Sequence, residues 1–264
     1  MSLLTFKGLV VLKLFYLWSM ADKTIELATK PIEELSRIDK KRPRIYMVLL
    51  LFQVLSLIMN MLLVPASRDV NTMISHHVAN LVNVVFALLL TGATINFLYY
   101  FIKRKIFFWI GASMFFISIG LNVISSALKL NDHDFELYRV LYGTACFISV
   151  VMLCFTFFVA IRDIFGKSLT IGSALLGAAN VYLLIGSTFA FLYAFMSILM
   201  PGAMIPISEM EELFNHCVIN STYVLGGMDL PGVVQEPAFK NAMIFESIFA
   251  HLFAVFIVGR LLAK

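Results

Sequence analysis

The feature that most constrains this chain is a series of six apolar runs, each close to or above the ~20 residues that a helix needs to cross a bilayer core. They occupy residues 46–65, 78–102, 107–128, 140–161, 171–199 and 242–262. Hydrocarbon offers backbone amides no water to bond, so runs of this length read as helices. Composition agrees: 61% of the 264 residues are hydrophobic, 14% are charged, and the mean hydropathy is +0.92. These values exclude a solvated globular surface, a disordered segment and a nucleic-acid-binding domain. The expected fold class is an all-α integral membrane protein with six transmembrane helices.

Residues 3–20 form a seventh apolar stretch, but Lys7 and Lys13 interrupt it. It reads as an interfacial helix, with Tyr16, Trp18 and the lysines at headgroup level. No small-x-small cleavage site follows, so it is read as retained and not as a signal peptide. Farther on, Ile32, Leu35 and Ile38 share one stripe of a short amphipathic helix over 25–38. Lys40-Lys41-Arg42 would draw that helix to the anionic lipid of the inner leaflet.

Loop charges orient the spans. Basic residues gather before the first span, in Lys103-Arg104-Lys105, in Arg162 and Lys167, and from Arg260 to the end. The alternate loops, 67–77 and 130–137, are neutral to acidic, as is the long fifth loop. The excess of Lys and Arg marks cytoplasmic loops, so both termini are expected in the cytoplasm. The net charge of +4 is thus a statement about topology. The three cysteines, Cys146, Cys154 and Cys217, have no disulfide or zinc spacing and read as small packing residues.

The fifth loop carries the functional signal. Ser208 followed by Glu211 is a capping box, Glu209 and Glu212 sit in the same first turn, and Met210, Leu213, Phe214, Cys217 and Val218 continue an apolar helical stripe. A helix from Ser208 to about Thr222 is too short to cross and is expected to be re-entrant. Tyr223 to Gly232, with Gly226-Gly227 and Pro231, then reads as non-helical backbone at membrane depth, tolerated only when buried in protein or lining water. Carbonyls of such a strand can replace the hydration shell of a permeating cation, with the negative end of the helix aimed at the axis.

The last third of the chain, 171–264, resembles the prokaryotic pore-loop ion channels of potassium-channel type. The string VYLLIGSTFAFLYAFMSILMPGAM looks like their outer pore helix. IFESIFAHLFAVFIVGRLLA looks like their inner helix, with Glu246 and Arg260-Leu261 in the family's spacing. The filter string departs from the family's T-x-x-T-x-G-Y-G-D-x-x-P. Aligned on Asp229, Val224-Leu225-Gly226-Gly227-Met228-Asp229 lies over T-x-G-Y-G-D; aligned on Pro231, Tyr223 to Met228 lies there instead. Neither register keeps both glycines and the threonine, so potassium selectivity is not carried over. Ala250 stands at the family's hinge glycine.

The resemblance implies a homotetramer, because each chain supplies one pore loop, in a bacterial plasma membrane. It implies passive conduction of monovalent cations, K+ or Na+, with Thr222, Tyr223, Val224, Leu225, Gly226, Gly227, Met228 and Asp229 at the filter and Glu209, Glu211 and Glu212 at the outer mouth. On the inner helix, Glu246 is read as a buried partner behind the filter. His251 is either a protonatable ring at cavity depth or a neutral histidine packed between helices, the second being preferred. The corresponding units are a 1–43 N-terminal segment, a 44–165 four-helix domain and a 166–264 pore domain with its loop at 206–233. The alternative is a pore-loop relative that does not conduct and serves as a sensor or partner subunit. Membrane lipids are the other expected partners. No cofactor, no resident metal and no enzymatic activity are expected.

Several motifs are set aside. The fourth span has Arg139 and Arg162 only at its ends, which leaves no gating charge within. His76-His77 lack a ligand at helical spacing, and the Asn220-Ser221-Thr222 sequon falls at the buried end of the re-entrant helix. Gly172, Ala174, Gly177, Ala178 and Gly186 on the fifth span are expected to permit close helix contact.

Overall fold

A computed structural model describes residues 32–69, 88–102, 105–129, 135–166, 170–200, 213–228 and 236–262. The described residues are all helical, with no strand among them. In chain order the helices are α1 (Ile32–Asp69), α2 (Leu88–Phe101), α3 (Lys105–Lys129), α4 (Phe135–Gly166), α5 (Ile171–Leu199), α6 (Leu213–Leu225) and α7 (Pro237–Leu262). The chain divides into two units, Met1–Arg42 and Pro43–Lys264, and the second holds the helix packing and the site described below.

Among the described residues, five helices are long and apolar enough to cross a membrane, over Lys41–Met59, Lys105–Ser125, Glu136–Phe165, Ile171–Leu199 and Pro237–Gly259. They correspond to the first, third, fourth, fifth and sixth of the expected spans. The second expected span is described only from Leu88, as the shorter α2. The 3–20 stretch lies outside the described residues. α1 also differs from expectation: it runs unbroken through Pro43, where the sequence reads as a short amphipathic helix followed by a separate span. A proline removes one amide donor, and the flanking Lys40, Lys41, Arg42 and Arg44 favour helix on both sides.

α5 is the centre of the packing, with 61% of its apolar window buried against 28% for α7. Its N-terminus is capped by Thr170, whose side chain accepts from the Ser173 amide at 3.4 Å. α4 lies antiparallel along it: Phe147 meets Phe195 at one end, and Ile164 meets Gly177 at the other. A Cβ on Gly177 would stand 2.9 Å from Ile164 Cγ1 and 3.2 Å from Tyr46 Cζ, so glycine sets that approach. Ala174 and Ala178 are buried likewise, whereas Gly172 is exposed and a Cβ there would meet nothing.

Polar groups within this interior are tied across helices. Tyr46 donates its hydroxyl to Asp163 at 3.0 Å, and the Asn180 amide nitrogen donates to the Tyr46 carbonyl at 2.8 Å. Ser118 and Ser149 join α3 to α4 at 2.7 Å. Arg139 on α4 reaches the Ile198 carbonyl at 3.0 Å, placing a cation at the negative end of α5.

Candidate functional site

α6 is 13 residues long, about 20 Å, which is two thirds of a bilayer core. It packs against both α5 and α7. Contacts along α5 run in reverse order, Phe214 on Phe191, Ser221 on Gly186 and Leu225 on Tyr182, so α6 is antiparallel to α5. The helix ends three residues beyond the expected Thr222, at Leu225. The expected start at Ser208, with Glu209, Glu211 and Glu212, lies outside the described residues, as does Asp229.

The end of α6 is built by its two glycines. Gly227 has φ +64°, the left-handed region that glycine enters without steric cost. Around it, the Met228 amide donates to the Tyr223 carbonyl at 2.9 Å and the Gly227 amide to the Val224 carbonyl at 3.1 Å. These are the paired bonds of a Schellman cap. The Gly226 amide donates to the Thr222 carbonyl at 2.9 Å, and Tyr182 Oη donates to the Leu225 carbonyl at 2.6 Å. The carbonyls of Thr222, Tyr223, Val224 and Leu225 are therefore all engaged within the chain.

This corrects the expectation that Tyr223 to Leu225 form part of an extended, carbonyl-lined strand. The physical reason is that a glycine pair after an apolar helical stripe serves the helix as a C-cap, which consumes the carbonyls that a strand would expose. Thr222 also turns its hydroxyl back to the Val218 carbonyl at 2.8 Å, and Val224 is buried. Gly226, Gly227 and Met228 remain exposed at the tip.

Behind the tip sits a carboxylate. Glu246 on α7 is 0% exposed and accepts from two hydroxyls, Tyr193 Oη on α5 and Ser221 Oγ on α6. Ser221 also contacts the Gly186 carbonyl at 2.9 Å. One acidic side chain thus fastens three helices at a single point, and both of its oxygens have a donor. An ionisable group taken out of water is tolerated only with such partners. Gly186 opens the way for α6: a Cβ there would lie 2.5 Å from Leu225 Cδ1 and 3.4 Å from Ser221 Oγ.

The sequence does not mark Tyr193, Ser221, Tyr182 and Gly186 as one site. The signal it does carry is the carboxylate within an apolar span, which demands hydroxyl or amide donors from facing helices. His251 is apart from this cluster, exposed on α7, with Nδ1 2.6 Å from the Ser247 carbonyl of the preceding turn. Within this chain it is not packed between helices: α7 buries the stripe Phe239, Met243, Glu246, Ala250, Phe253 and Ile257, and His251 lies off that stripe. Among the described residues, no group of three or more His, Cys, Asp or Glu is placed to hold a metal ion. No protein-family model, curated protein or solved structure matches this chain.

Proposed function

We propose that this chain is a pore-loop subunit of a membrane cation channel, in which four copies surround one axis and α6 enters the bilayer without crossing it. The observation that carries the reading is the anchored short helix: α6 is held between two long apolar helices by Glu246, and its C-terminal tip, Gly226 to Met228, is left exposed. The C-terminal end of a helix carries about half a negative charge, which favours a cation near that tip. The face of α7 opposite its buried stripe, with Ile244, Ile248 and Leu252 exposed, supplies apolar surface for neighbouring copies or lipid. Both termini lie in the cytoplasm of a bacterial cell on this reading, following the basic loops.

Because the carbonyls of Thr222 to Leu225 are engaged, the filter contributed by the described residues contracts to Gly226, Gly227 and Met228. Few coordinating carbonyls replace little of an ion's hydration shell, so discrimination between K+ and Na+ is weak. The same engaged carbonyls favour a second reading, a pore-loop relative that does not conduct and acts as a sensor or partner subunit.

Purified protein in liposomes separates the two. Under opposed K+ and Na+ gradients, the channel reading expects flux of both ions at comparable rates. Flux absent for both ions across a range of pH and lipid composition supports the non-conducting reading. An assembly that is not fourfold counts against the channel.

A further inference from the structure

The neighbouring ends of α2 and α3 carry a surface that the α5–α6–α7 site does not use. α2 ends at Phe101, and the apolar span of α3 begins at Lys105. Both helices therefore stop next to one basic run in the sequence, Lys103-Arg104-Lys105. Aromatic rings join the two helix ends into a continuous strip. Tyr100 meets Tyr99, Tyr99 meets Phe108 and Phe108 meets Trp109, each at 5.5 Å between centroids and close to edge-on. Tyr99 is 64% and Trp109 67% exposed, and Lys105 is exposed one helical turn before Trp109.

Tyrosine and tryptophan pair an apolar ring with one polar group, which suits them to the boundary between acyl chains and water. Here the rings hold one another in place, so binding against them costs little further ordering. An ammonium at the same level attracts phosphate that carries net negative charge. A zwitterionic headgroup brings its own cation and is attracted less.

We propose that this strip is a binding site for the headgroup of an anionic phospholipid, with Lys105 pairing with the phosphate and Tyr99 and Trp109 seating the glycerol region. The proposal requires only that α3 crosses a bilayer, and it stands apart from the pore reading.

The chain has two tryptophans, Trp18 and Trp109, so Trp18→Phe leaves Trp109 as the sole tryptophan, excited selectively at the red edge where tyrosine does not absorb. That protein is reconstituted in phosphatidylcholine vesicles containing a small fraction of brominated phosphatidylglycerol or, separately, of brominated phosphatidylcholine. The expected result is quenching that corresponds to about fivefold preference for the anionic lipid, the factor one lysine contributes at an anionic surface. Lys105→Gln is expected to bring the preference to about one, and Lys105→Arg to retain it. Equal quenching by the two lipids, or a preference that survives Lys105→Gln, overturns the proposal. Loss of the preference on adding inorganic phosphate also overturns it, because the site would then be one for free anion.

Discussion

Tyr193 on α5 and Glu246 on α7, 53 residues apart in sequence, meet as hydroxyl donor and carboxylate acceptor, and both are 0% exposed. The contact joins the most buried of the spans to one of the more exposed, and Ser221 closes it from α6. A carboxylate this deep makes its donors interdependent, since the loss of either leaves charge density without a partner.

Tyr193→Phe removes one donor while keeping the ring. The expected loss is about 1–3 kcal/mol, the cost of an unsatisfied buried acceptor. Glu246→Ala strands the Tyr193 hydroxyl, leaves Ser221 with the Gly186 carbonyl alone and opens a cavity, so its loss should exceed that of Tyr193→Phe, at roughly 3 kcal/mol or more. Unfolding in graded detergent mixtures measures both, and a Tyr193→Phe protein as stable as wild type would refute the tie.

Gly186 is a test of helix approach. Gly186→Ala places a methyl against Leu225 Cδ1, an overpacking of about 1–3 kcal/mol unless the leucine moves. Adding Leu225→Ala relieves the crowding, so the double variant should show favourable coupling. Simple additivity in a double-mutant cycle would mean that the two residues do not press on one another.

Gly227→Ala forces a Cβ into the left-handed region at a cost of about 1 kcal/mol, and Gly227→Asn should cost less than Gly227→Val. The readout is amide hydrogen exchange of Met228, whose bond to the Tyr223 carbonyl closes the cap. Protection unchanged in Gly227→Val would contradict the cap.

Arg139→Gln loses the charged contact to the Ile198 carbonyl at the end of α5. Hydrogen bonds from charged groups contribute about 1.5–3 kcal/mol, less where solvent screens them, so a loss of about 1–2 kcal/mol is expected in the same unfolding assay. Arg139 also pairs with Glu136, which is exposed, and Glu136→Gln should change stability by under about 0.5 kcal/mol.

Much of the helical layout is legible in the amino-acid sequence, because each apolar run is a local signal that hydrocarbon length alone interprets. α3, α4, α5 and α7 follow their expected runs closely. The parts that are not legible are non-local or ambiguous. The sequence marks Glu246 as needing donors but not which hydroxyls reach it: Tyr193 and Ser221 lie 53 and 25 residues away. Gly226-Gly227 has two local meanings, a bend in an extended strand or the cap of a helix, and an expectation of a channel filter favours the first. The stripe at Cys217, Ser221 and Val224 favours the second, and those residues are buried on one face.

The clasp at Glu246 also orders events in time. α7 follows α5 and α6 along the chain, so during synthesis Tyr193 and Ser221 are made before the carboxylate that joins them. Until α7 is in place, α6 lacks one of the two helices it packs against. α7 therefore acts as the latch of this cluster, and a nascent chain stalled before it would leave the Tyr193 hydroxyl without its acceptor while Ser221 kept the Gly186 carbonyl.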